Sequence, residues 1–306
     1  MKLSTNQYFT NISRFLGEQQ GKIALLQAKM ATGDKLVTPS TAPQTAARSL
    51  DLNSLITRQE GYLDNLERLD GRLQQEEVVL DGMRSMMGRM QELAVRASSD
   101  TYNAQDRQAM AVEVRGYIAE IIALANSKDN NGAYYFAGVK SGTRPFEVDA
   151  TNQVTYQGDD TRITVEIDAG NKLPVNITGG ELLPKVQRVE LGVTSTISVF
   201  TVFNDFATAL ESNDSSGINR SIGELDSVIT SLEQLTVGVG LRRNIVENSR
   251  DITEGRKLAL TAMLSSERDL DYAAAVTELS AEMLALEAAQ SSFAKIAQLN
   301  LFNFLR

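Results

Sequence analysis

The sequence predicts a mainly α-helical protein with a small β insertion, its long antiparallel helices forming a coiled-coil rod from both N- and C-terminal segments. Three observations predict this. Large apolar side chains recur at alternating three- and four-residue spacing over most of the chain, the period of a helix that buries a narrow stripe against another helix. The five prolines are Pro39, Pro43, Pro145, Pro174 and Pro184, so 44–144 and 185–306 lack the strongest helix breaker. Between about residues 133 and 202 the apolar period shortens to two, as strands require.

The first stripe runs Phe9, Ile12, Leu16, Gln19, Ile23, Leu26, Met30, and predicts a helix ending before Pro39 and Pro43. A second begins at Leu52 and continues through Leu55, Gln59, Tyr62, Leu66, Leu69, Leu73, Glu76, Leu80, Met83, Met87, Met90 and Ala94, with Gln59 and Glu76 as polar interruptions. Ser98-Ser99-Asp100-Thr101 is a turn and capping cluster, after which Met110, Val114, Tyr117, Ile121 and Leu124 mark a third helix. The short connection makes these two helices antiparallel neighbours.

Strands are expected around Tyr134-Tyr135-Phe136, Val154-Thr155-Tyr156, Ile163 to Ile167 and Val175-Asn176-Ile177, each bounded by Gly, Asp, Asn or Pro. So small a region buries little core by itself, so it should lean on the helices or stand off as a loosely held knob. Helical spacing returns at Phe203, Phe206 and Leu210, then at Ile218, Ile222, Leu225, Ile229 and Leu232. Gly238-Val239-Gly240 is expected to interrupt it, with a further break near Gly255 or Ser265-Ser266. The last stripe runs Val276, Leu279, Met283, Leu286, Gln290, Phe293, Ala297. The expected organisation is nested: paired terminal helices at 1–35 and 266–306, a helical rod at 36–138 and 201–265, and a β domain at 139–200.

Composition excludes several chemistries. The chain has no His, no Cys and no Trp, which removes the usual neutral-pH base, the thiolate nucleophile and disulfides. A net charge of -9 argues against a nucleic-acid partner held by phosphate neutralisation. No apolar run is long enough for a membrane span, and the N-terminus lacks a signal-peptide apolar core, so a soluble protein is expected. Gly238-Val239-Gly240 lacks the third glycine of a dinucleotide loop. Asp159, Asp160 and Asp168 could hold a cation in an enzyme-like site, but read better as turn residues. No cofactor, metal ligand or catalytic residue is expected. Met83, Met86, Met87 and Met90 read chiefly as core filling.

The chain ends carry the candidate functional surface. Gln19 and Gln290 are either accidents of composition or register markers, since a polar residue in an apolar seam penalises misaligned pairings. Residues 1–35 hold five basic and two acidic side chains, and residues 265–306 hold three basic and six acidic. Opposite charge favours pairing of the two ends. One shared stripe cannot offset the entropy of ordering both segments. The alanines on their other faces, among them Ala24, Ala28, Ala281, Ala285 and Ala288, suit close approach of further helices. The ends are therefore expected to order on assembly.

These residues resemble the flagellin superfamily, the bacterial axial proteins whose terminal helices pair in the flagellar core. The resemblance rests on Gln27 to Pro43, on Val239-Gly240-Leu241-Arg242-Arg243-Asn244, and on Ser265 to Leu279. Two departures stand out: Thr41-Ala42 replaces paired aspartates, and Arg268 replaces an acid, putting any salt bridges of those acids in question. Within the superfamily, Asn131 to Gly138 and Ala285 to Phe304 are similar to the hook-filament junction proteins, whereas filament flagellins usually close on a shorter tail. The resemblance implies a secreted structural adaptor of the flagellum, exported by the type III route. Its implied partners are copies of itself in a ring or short helical array, a first junction protein, flagellin and an export chaperone, with no membrane insertion. The terminal seams, together with Leu301, Phe302 and Phe304, become the expected assembly interface. Flagellin itself is the nearest alternative reading, and an enzyme with a carboxylate or Mg²⁺ site in the β insertion is one of another class.

Overall fold

The computed structural model describes residues 2–302 apart from Val37, Pro39, Thr41, Ala150, Thr151, Leu191 and Gly192; the side chains of 2–6, 8, 9, 193 and 296–302 also lie outside the description. The elements are α1 (Lys2–Thr32), α2 (Pro43–Ala97), α3 (Ala104–Ala125), β1 (Phe146–Val148), β2 (Val154–Tyr156), β3 (Thr164–Asp168), β4 (Asn171–Pro174), α4 (Gly179–Leu182), β5 (Val186–Glu190), β6 (Val193–Ile197), α5 (Val199–Glu211), α6 (Ser215–Arg268) and α7 (Tyr272–Phe302). They fall into two compact units, Met1–Gln59 with Gly255–Arg306, and Glu60–Glu254. Fold class is as the apolar periods imply: long helices with a small β insertion.

In the second unit the α2 stripe buries Tyr62, Leu66, Leu69, Leu73, Leu80, Met83, Met87, Met90 and Ala94. Val114, Ile118 and Ile121 of α3 and Ile218, Leu225, Val228, Leu232, Val239 and Val246 of α6 enter the same core. Polar contacts on its margin set α2 and α6 antiparallel: Gln91 donates to Asp226 at 3.1 Å, while Arg243 meets Asp70 at 3.3 Å and Glu77 at 2.7 Å. The three methionines of the stripe are fully buried and Met86 packs against the core. They fill space, as flexible thioethers do.

Buried Arg107 ties the helix ends together. Its guanidinium donates to the carbonyls of Ala97 (3.0 Å) and Ser99 (3.3 Å) and to Oδ1 of Asn213 (2.5 Å). It thereby serves the orphan carbonyl of Ala97 at the end of α2 and that of Ser99 in the following turn, and joins them to the α5–α6 turn. Asn103 caps α3 in a reciprocal box with Asp106.

Among the described residues the β insertion holds three antiparallel strand pairs, β1–β2, β3–β4 and β5–β6. Phe146, Ile167, Leu173, Val175, Ile177 and Leu182 join the same apolar cluster as α2, α3, α5 and α6, so the insertion leans on the helices. Buried Arg188 of β5 clamps it there, reaching Glu224 of α6 twice, at 2.6 and 2.8 Å, and Asp205 of α5 at 2.5 Å.

Several local expectations need correction. Tyr134-Tyr135-Phe136 is turn rather than strand, with one bridge between Lys128 and Tyr134. Gly132 and Gly138 at positive φ bend the chain on either side, and a Cβ on Gly138 would stand 2.1 Å from the Asp159 carbonyl oxygen. Val175-Asn176-Ile177 follows β4 without strand pairing, Asn176 Oδ1 accepting from Ile163 N at 2.7 Å. Helix α6 runs unbroken through Gly238-Val239-Gly240, Gly255 and Ser265-Ser266. Burial of Val239 and Val246 outweighs the glycine penalty of about 1 kcal/mol each. Leu55 is exposed, and Ile56 is the less exposed neighbour.

Candidate assembly site in the terminal helices

The first unit contains α1, α7, the opening turns of α2 and the closing turns of α6. Helices α1 and α7 pair antiparallel: Tyr272 Oη donates to the Met30 carbonyl at 3.0 Å, and further along Lys22 meets Glu282 at 3.4 Å. On α1, Gln19 and Leu26 are buried, with Ile12, Leu16, Ile23 and Met30 half-buried. On α7 the least exposed positions are Ala275, Leu279, Glu282, Leu286, Ala289 and Phe293, themselves at 4-3-4-3-4 spacing.

The C-terminal stripe is therefore divided. Leu279, Leu286 and Phe293 occupy the less exposed face of α7, whereas Val276, Met283 and Gln290 are exposed, Met283 by 53%. Alanines at 275 and 289 permit closer packing than valine or glutamine would. Gln19 Oε1 is buried with no hydrogen-bond partner among the described residues, and Gln290 is exposed. Phe9, Leu301 and Phe302 have described backbone only, and Phe304 lies outside the described residues.

The folded unit thus keeps a second apolar surface. Val276, Met283 and Leu284 on α7, and Phe15 and Leu25 on α1, are all more than 40% exposed. A groove of about 550 Å³ runs between α1 and α7, lined by Ile23, Met283, Leu284, Leu286 and Gln290 among others. An apolar stripe on each side of a helix is what simultaneous packing against several helices requires.

The turns that join these helices to α2 and α6 are stapled to one another. Gly33 closes α1 at φ +76°, its amide donating to the Lys29 carbonyl at 2.9 Å. Asp34 and Asp269 form an antiparallel bridge, framed by Leu270 N to Gly33 O (2.8 Å) and Lys35 N to Arg268 O (2.7 Å). Lys35 Nζ reaches the Ser266 carbonyl at 2.7 Å, and the Arg268 guanidinium takes both carboxylate oxygens of Asp34. That contact favours the charged guanidinium still further. Asp271 then caps α7 by accepting from Ala273 N and Ala274 N. The sequence offered one signal for this clamp: Arg268 at a position where the resemblance expects an acid.

The carboxylates of the β insertion do structural work. Asp159 Oδ1 accepts from Thr161 N (2.9 Å) and Val139 N (3.3 Å), which holds its carboxyl below the ordinary range, and Asp160 accepts from Gly180 N. Among the described residues, no three His, Cys, Asp or Glu side chains group as a metal site.

Long antiparallel helices with a small β insertion, and a pair of terminal helices that keeps a second apolar face, define a helical protein whose chain ends offer surface for packing against further helices. Residues 3–141 match the family described as the bacterial flagellin N-terminal helical region. The flagellar hook-associated protein 3 of Escherichia coli (strain K12) is 23% identical over 316 residues, covering 99% of both chains. A flagellin of Listeria monocytogenes is 22% identical, covering 98% of this chain and 96% of its own. The crystal structure of hook-associated protein 3 from Legionella pneumophila superposes with a TM-score of 0.64 at 16% identity, covering 70% of this chain and 97% of that one, a likeness of fold. Over nearly its whole length the chain is similar in sequence to hook-associated protein 3, and over residues 3–141 to the N-terminal helical region of flagellins.

Proposed function

We propose that this protein is a non-enzymatic structural adaptor of the bacterial flagellum, secreted to the boundary between hook and filament, where it links a first junction protein to flagellin. End-to-end alignment with hook-associated protein 3 carries this reading. The exposed second face of α1 and α7 supports it, because a subunit inside a tube must offer apolar surface to neighbours on more than one side. In this reading Phe9, Ile12, Leu16, Gln19, Ile23, Leu26 and Met30 work with Leu279, Leu286 and Phe293 to form the subunit's own helix pair. Val276, Met283 and Gln290, with Leu301, Phe302 and Phe304, serve the contacts between subunits. Copies of the chain form a ring or short helical array, an export chaperone holds the terminal segments before secretion, and those segments complete their folding on assembly.

Flagellin is the competing reading, favoured by the alignment to a flagellin over nearly the same length. Electron microscopy of the purified chain under polymerising conditions separates the two. An adaptor stays in short assemblies, whereas growth of long filaments without a junction partner would establish the flagellin reading.

A further inference from the structure

Glu76 interrupts the apolar stripe of α2 and is wholly buried. Oε1 accepts from Arg72 Nε at 3.1 Å, while Oε2 is sealed from solvent with no hydrogen-bond partner among the described residues. Arg242 of α6 acts on the same carboxylate, and its Nη1 is likewise buried with no hydrogen-bond partner among the described residues. Arg72 in turn donates to the Tyr135 carbonyl at 3.0 Å and lies 5.5 Å from the centre of that ring. The Ile177 backbone also stabilises the carboxylate. Glu76 therefore lies where α2, α6, the Tyr135 segment and the β insertion meet.

We propose that Glu76 is a proton-operated latch on the β insertion: protonated, it lets the Tyr135 and Ile177 segments close over α2, and ionised, it favours their opening to water. The physical reason is the imbalance at the carboxylate. Ionisation places a full charge in a closed site where Oε2 accepts no full hydrogen bond among the described residues and only the Ile177 backbone approaches the carboxylate, and opening lets water supply one. Burial pushes the Glu76 carboxyl up to about 7 despite both arginines. The other charged groups in reach do not reverse this. Arg72 faces it from its own helix and Arg242 from α6. Arg162 and Glu181 of the β insertion, paired to each other, act on Arg242 with opposing signs, and Asp129 acts on Tyr135. Nothing here depends on the assembly reading.

Amide hydrogen exchange on the full chain, corrected for intrinsic rates, tests the latch. Opening at Tyr135 and Ile177 should rise by up to about tenfold per pH unit from about 5 to 6.5 and level off above about 7. In Glu76→Gln the same amides should show no such rise. A ¹³C titration of the Glu76 carboxyl in the unaltered protein reads the same property without a variant, and should give a midpoint well above the other glutamates. Titration in the ordinary glutamate range, or an identical exchange profile in Glu76→Gln, overturns the proposal.

Discussion

Arg268 grips Asp34 across the two turns of the first unit, Nε to Oδ1 at 2.6 Å and Nη2 to Oδ2 at 3.1 Å, with the bridge between Asp34 and Asp269 directly alongside. A bidentate arginine contact fixes geometry as well as charge. The pair ties the exit of α1 to the entry of α7, so it positions the two helices on which the proposed assembly surface lies.

Reversing Arg268 to Glu should loosen this clamp, placing an acid against Asp34 and beside Asp269. Arg268 is half exposed, so solvent screening limits the coupling with Asp34 to roughly 0.5–1 kcal/mol. A double-mutant cycle with Asp34→Arg, read by thermal unfolding, should recover part of the loss. Losses that simply add would mean the pair contributes nothing.

Arg188 is a stronger case because it is buried. Arg188→Met leaves Glu224, only 6% exposed, with Arg220 Nε at 3.7 Å in place of its bidentate partner, and should cost about 3 kcal/mol in urea unfolding. Replacing both residues by apolar ones should cost much less. Equal losses in the single and double variants would show that packing, and not the loss of the bidentate partner, sets the effect.

Glu76 gives an unusual dependence of stability on pH. Its folded carboxyl titrates at about 7 against 4.5 for an unperturbed glutamate, so the folded state binds the proton more tightly than the unfolded one. The destabilisation is therefore fully present above about pH 7 and is relieved as pH falls toward 4.5. From pH 7 to pH 5 this group alone should add about 2 kcal/mol of stability. Asp159 and Glu211, whose carboxyls are held low by their partners, work in the opposite direction. The measurement is accordingly the difference between the natural chain and Glu76→Gln in denaturant unfolding at the two pH values. A difference that does not change with pH would refute the assignment.

Met283→Glu tests the outward face. The side chain is exposed in the folded unit, so the monomer's unfolding midpoint should hold within about 0.5 kcal/mol. Leu286→Glu, on the less exposed face, should destabilise the monomer. Cells carrying Met283→Glu should lose flagellar assembly while still making folded protein. Normal assembly would remove this face from the interface.

The long α2 stripe was legible in the sequence because burial there is one-sided: Tyr62 to Ala94 follow the 3-4 spacing and lie in the core. The α7 stripe was only half legible. That helix is apolar or alanine on most sides, so the spacing through Val276 and Met283 competes with the one through Ala275 and Glu282, and spacing alone does not choose. Continuity of α6 through Gly238 and Gly240 was hidden because tertiary burial of Val239, absent from any local signal, outweighs helix propensity. The β hairpins have strands of only three to five residues, too short for a clear alternating pattern. Glu76 stood out as an interruption, but its partners Arg242, Tyr135 and Ile177 come together only in the folded chain.

The proposed place of the protein is the boundary between hook and filament, and its proposed task is to join them. Electron microscopy of a strain lacking this protein, with the medium assayed for flagellin, tests it most directly. An adaptor between hook and filament predicts intact hooks without filaments and flagellin shed unpolymerised into the medium. Hooks bearing normal filaments would contradict the account.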